Sequence, residues 1–132
     1  MQKILDTGAI YASLVICSAL VVFQAALALG APLGRVAWGG QYETLPVGYR
    51  LGSVVSMAVY VYLILCILKI WGKKSLVSPK TARISIKIFG YFLIVGVLMN
   101  AVSRSHLEAI IMAPTALILC LSLLHIAYRV KD

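Results

Sequence analysis

The chain has 132 residues, 62% of them hydrophobic, and a mean hydropathy of +1.00, which excludes a small water-soluble domain. Its formal charge of +8 comes from 12 basic and 4 acidic residues. The basic residues lie between and beside long apolar runs rather than on one polar surface, which argues against nucleic acid as a partner.

Four runs are long enough to cross a bilayer: 9–29, 51–71, 84–102 and 109–128. Each has roughly 20 residues, and about 1.5 Å per residue covers a hydrocarbon core of about 30 Å. They predict an all-α membrane protein, a single transmembrane domain over 1–132 built as a four-helix antiparallel bundle. The connections are a Gly/Pro-rich loop over 30–50, a basic loop over 72–83 and a tight turn near 103–108.

Span one is rich in small residues, and Gly30 followed by Pro32 is its expected stop. It is longer than the ~7–15-residue core of a cleavable leader, so it reads as a span. Gln24 lies one or two turns below its outer end. It either lines a pocket there or bonds to a neighbouring helix.

The 30–50 loop mixes glycines with Leu33, Val36, Ala37, Leu45 and Val47. It is expected to fold back as a cap over the helix ends. The other reading is an interfacial loop whose Trp38, Tyr42 and Tyr49 join the aromatic belt. Thr44 with Pro46 is a possible start for span two. Gly48, Gly52 and Ser56 then form a small-xxx-small row suited to close helix approach.

Between spans two and three lie Lys73, Lys74, Lys80 and Arg83, with Lys69 and Lys87 flanking them. Lys3, Arg129 and Lys131 lie near the chain ends. Only Arg35, Arg50 and Arg104 fall on the first and third connections. Nine basic residues against three place both termini in the cytoplasm and the 31–50 and 103–108 connections outside. Ser78-Pro79 reads as cap and first residue of span three. Ser105-x-x-Glu108 reads as a capping box for span four, with Pro114 a possible bend.

Cys17, Cys66 and Cys120 all lie inside spans and read as packing residues, with no disulfide framework. His106 and His125 sit near opposite faces, so no metal site and no cofactor is expected. The spans carry no acidic residue in their apolar interior. A proton exchanger of the small multidrug type needs one in its first span, where this chain has Gln24.

The polar residues that remain converge on the outer face: Arg35, Trp38 and Gln41 from the first connection, Arg50 at the start of span two, and Asn100, Arg104 and Glu108 from the third connection. Guanidinium groups favour two-pronged contacts with carboxylate or phosphate. The arrangement predicts a pocket for an anionic small molecule or lipid headgroup. The competing arrangement has the arginines at headgroup depth, paired with Glu43, Glu108 or lipid phosphate and only stitching the loops.

The string Gly30-Ala-Pro-Leu-Gly-Arg-Val-Ala-Trp-Gly-Gly-Gln41, with Leu45-Pro46, Arg50 and Asn100-Ala-Val-Ser-Arg-Ser105, resembles a group of small four-helix bacterial integral membrane proteins of unassigned function. The resemblance covers both outer connections and the span pattern. It implies a multi-pass protein of the bacterial plasma membrane and brings no activity or site residues with it.

The leading expectation is a non-enzymatic binding or transport-related module, in contact with membrane lipids and, for transport, a homodimer. One alternative is an accessory subunit of a larger membrane complex. Another is a membrane enzyme acting on a lipid or isoprenoid, with His106 or Glu108 as its acid or base. No catalytic residue is assigned.

Overall fold

In a computed structural model that describes residues 1–131, the chain is an all-α membrane bundle, with no strand among the described residues. Four helices carry it: α1 Gln2–Ala28, α2 Val47–Ile70, α3 Pro79–Ala101 and α4 His106–Arg129. They have 27, 24, 23 and 24 residues, each long enough for a hydrocarbon layer of about 30 Å.

Every helix begins before the apolar run that predicts it, most of all α1, which starts at Gln2 rather than near residue 9. Hydropathy marks the hydrocarbon layer, whereas local end chemistry sets where a helix begins. Gln2 Nε2 donates to Asp6 Oδ1 at 2.8 Å one turn later. Asp6 Oδ1 also meets His125 Nε2 of α4 at 2.8 Å, which fastens this polar first turn to the bundle.

Ser78 caps α3 as expected, its Oγ accepting the Thr81 N–H at 3.2 Å with Pro79 as the first helical residue. α2 has no side-chain cap, and Pro46 rather than Thr44 precedes its first turn. α1 stops at Gly30: the Gly30 N–H reaches Leu27 O at 3.1 Å and the Ala31 N–H reaches Ala26 O at 2.9 Å. That bond pair is the Schellman termination. Pro114 sits inside α4, which runs on through it.

α1 packs chiefly on α2 and α3 chiefly on α4, the latter pair joined by the shortest connection. Thinner seams between α1 and α4 and between α2 and α3 close the ring. Cys17, Leu63, Cys66, Ile86, Leu119 and Leu123 fill its axis. The three cysteines are free and buried, and Cys120 Sγ donates to Gly90 O at 3.2 Å across the α3–α4 seam. The outward side chains, among them Val15, Phe92 and Leu121, are apolar as well. Helices apolar on all sides are stable as a bundle only where lipid replaces water.

The start of α1 and the end of α4 lie at one end of the bundle, where Arg83 Nη1 also donates to Ala127 O at 3.0 Å. The opposite end, the mouth, carries the segment 30–46. A second apolar cluster seats that segment: Leu27 of α1 buries against Ala37 and Leu45 of the loop, with Phe23 and Tyr49 alongside. Each large apolar side chain so removed from water stabilises the seat by about 1.5–3 kcal/mol. The loop is a cap.

Candidate functional site at the capped mouth

The cap is built from two short 3-10 turns, Gly34–Val36 and Trp38–Gly40. Its base is closed by the Gly34 N–H on Glu43 O at 2.9 Å. The second turn opens on Trp38, whose φ of 54° is left-handed. That backbone state costs a bulky residue on the order of 1–3 kcal/mol and persists only where surroundings enforce it.

Two contacts enforce it. Trp38 Nε1 donates to Ser53 Oγ of α2 at 3.2 Å, and its ring meets Tyr49 edge-on with centroids 5.7 Å apart. Gly52 provides the space, since a Cβ there would stand 2.8 Å from the far edge of the indole. Within the chain, two positions of the Gly48, Gly52, Ser56 row therefore meet no other helix. Gly52 receives the tryptophan, and Gly48 faces open space.

The cap is joined to the α3–α4 turn through Glu108 and Ser105. Ser105 Oγ accepts the Glu108 N–H at 3.3 Å, the first half of a capping box, and donates to the Arg35 carbonyl. The second half does not form. Ser103 Oγ takes the Ser105 N–H at 3.2 Å. The Glu108 carboxylate turns instead to the cap, accepting from the Gly39 N–H at 3.3 Å and from the Ser103 hydroxyl. It is 6% exposed. Gly40, at φ 66°, lies directly against Ser105, a position where no Cβ fits.

Three spaces open around this junction. An outer cleft of about 600 Å³ is lined by Trp38, Gln41, Asn100, Ser103, Arg104 and Glu108, with Met99 and Val102 as its apolar flank. Beside it, a shallower cleft of about 450 Å³ holds Arg35 and shares Gln41 and Arg104. Beneath the cap, an inner chamber of about 150 Å³ is walled by Gln24, Tyr60, Asn100 and Glu108 together with Leu20, Phe23 and Met112. Outer cleft and chamber share Trp38, Asn100 and Glu108.

Of the residues the sequence nominates, Arg35, Trp38, Gln41, Asn100, Arg104 and Glu108 line these spaces. Arg50 does not. Its Nε donates to Leu45 O at 2.7 Å, and its guanidinium lies over Gly30. One turn into α2, it faces the base of the cap, which charge counting cannot reveal. Among the described residues neither Arg35 nor Arg104 is ion-paired with Glu43 or Glu108. The stitching arrangement through Arg–Glu pairs is absent there.

Gln24 bears on the chamber most directly. It is 9% exposed, and its Oε1 has no hydrogen-bond partner. An unsatisfied buried amide oxygen costs about 1–3 kcal/mol. Residues the sequence reading missed are Gly39, Ser53 and Tyr60. Only the adjacency of Gly52 and Ser53, room beside an acceptor, hinted at a seat for an indole.

Chemically, the junction offers two unpaired cations at its rim, amides on its walls and a carboxylate at depth. No family model, curated protein or solved structure matches the chain.

Proposed function

We propose that this protein is a membrane-embedded binding module, of the kind used in transport, whose site is the capped mouth of the bundle. Its ligand is an anionic small molecule or a lipid headgroup. The observation that carries the reading is the convergence of cap and α3–α4 turn on one cleft, where Arg104 and nearby Arg35 lack a carboxylate partner. Both guanidinium groups are exposed at the mouth, where a bound phosphate or carboxylate meets them in two-pronged geometry.

The charge distribution orients the site. Lys73, Lys74, Lys80, Arg83, Arg129 and Lys131 mark the cytoplasmic end. The mouth then faces the outer leaflet, of a bacterial plasma membrane on the sequence resemblance.

The test is thermal unfolding of the purified protein in detergent with added organic phosphates, carboxylates and anionic lipids. A ligand at 100 times its Kd stabilises by about 2.7 kcal/mol. That response is expected to vanish when Arg35→Ala and Arg104→Ala are combined. An identical response in the double variant overturns the reading.

A further inference from the structure

The rim arginines account for the anionic part of a ligand but leave the inner chamber unused. We infer, resting on the binding reading above, that the site takes a phospholipid head first. The phosphate lies at the arginine rim, a headgroup bearing N–H or O–H donors enters the chamber, and the hydrocarbon leaves along α3.

Three observations carry this. The chamber presents acceptors. Gln24 Oε1 is buried and unpartnered. Each carboxylate oxygen of Glu108 takes one donor, from Gly39 or Ser103, which leaves a further lone pair on each. The Trp38 indole N–H, which also borders the chamber, is already spent on Ser53. Tyr60 and Asn100 carry donors on the same walls, but the buried group left unpartnered is an acceptor, so a group that satisfies Gln24 Oε1 donates a hydrogen bond, as an ammonium or a hydroxyl does.

The second observation is adjacency. Chamber and outer cleft share Trp38, Asn100 and Glu108 as lining, which sets the acceptors of one beside the cations of the other, as the two ends of a short polar head require. The third is the flank. Met99 of α3 and Val102, the residue that ends it, line the outer cleft yet are 65% and 76% exposed. The cleft thus opens sideways onto the apolar surface of the bundle, where a hydrocarbon chain lies at no cost. A free phosphate ester has no use for that flank.

Native mass spectrometry of the full-length protein tests the inference, with short-chain phosphatidylethanolamine, phosphatidylglycerol and phosphatidylcholine, and with free phosphoethanolamine. The choline head keeps the phosphate and positive charge of ethanolamine but has no N–H. The expected result is about tenfold tighter binding of the ethanolamine and glycerol lipids than of the choline lipid. Gln24→Leu is expected to erase that preference. The nearly isosteric Gln24→Met carries the same expectation should Gln24→Leu not purify folded.

Equal affinity for the three lipids, or a preference that survives both Gln24 variants, overturns the headgroup assignment. Free phosphoethanolamine binding as tightly as its lipid overturns the membrane source. If no probe binds and Arg104→Ala changes nothing, the underlying binding reading falls instead, so the two failures are told apart.

Discussion

Trp38 of the cap donates its indole N–H to Ser53 of α2 at 3.2 Å, from a backbone held at φ 54°. Here a strained residue and a fully buried hydroxyl depend on each other. Trp38→Phe leaves the Ser53 hydroxyl without its donor, and Ser53→Ala leaves the indole without its acceptor. Each is expected to cost about 1 kcal/mol, read as a lower thermal midpoint in detergent. With Trp71→Phe as background, Ser53→Ala is expected to red-shift Trp38 emission. Unchanged emission and midpoint would mean that the indole–hydroxyl bond does not hold the cap.

Gly52 makes the same relationship testable from the other side. A Cβ at 52 would meet the indole at 2.8 Å, so Gly52→Ala forces the ring off its seat without removing any hydrogen-bonding group. The expected outcome is a Trp38 red shift at least as large as that of Ser53→Ala. Gly48→Ala, one turn earlier with nothing within 4 Å, is expected to leave emission unchanged. If the two glycine variants behave alike, Gly52 is not the seat of the indole.

The junction between the two connections depends on Gly40. An alanine there meets a left-handed backbone penalty of about 1–2 kcal/mol and a clash with Ser105. Gly40→Ala is expected to break the contact of Ser105 with the Arg35 carbonyl and release the cap. Trypsin cleavage after Arg35 should then accelerate severalfold, while the helices stay intact by circular dichroism. Cleavage at the original rate would show that Ser105 does not hold the cap.

The spans were legible because four apolar runs leave no other element type, and their order with short connections dictates which ends meet. That made the convergence of 30–50 with 103–108 an inference about topology, whereas the depth of Gln24 on α1 left a pocket wall and a bond to a neighbouring helix both open. What resisted was anything set by helix phase or by left-handed backbone. Arg50 carries the same charge as Arg104, yet one turn of α2 directs it to Leu45 O. Glu108 satisfies a capping-box pattern, but Gly39 presents its N–H to the carboxylate only because Trp38 and Gly40 hold left-handed backbone. That bond joins residues 69 positions apart, and no local pattern encodes it.

Glu108 therefore works as a tie to the cap more than as a helix cap. Glu108→Ala removes the acceptor for both the Gly39 N–H and the Ser103 hydroxyl and is expected to cost about 1–3 kcal/mol. Glu108→Gln keeps one acceptor oxygen of the same reach, so its loss should be the smaller. Thermal midpoints in detergent give the order. Were the two variants equally damaging, the negative charge rather than the hydrogen bonds would be what the junction uses.

Arg50 and Arg104 separate structure from binding. Both guanidinium groups lie at the mouth, but Arg50 is engaged with the backbone at the base of the cap, whereas Arg104 borders both outer clefts with no carboxylate partner. Arg50→Ala removes a charge-assisted bond to Leu45 O and should lower the thermal midpoint by an amount equivalent to about 1.5–3 kcal/mol. Its response to the anionic ligands should be retained. Arg104→Ala is expected to do the reverse, leaving the midpoint nearly unchanged and weakening phosphate or carboxylate binding about tenfold or more. The comparison is made in one set of detergent melts with and without ligand. If Arg50→Ala lost the ligand response while Arg104→Ala kept it, the recognition site would lie at the base of the cap rather than under its rim.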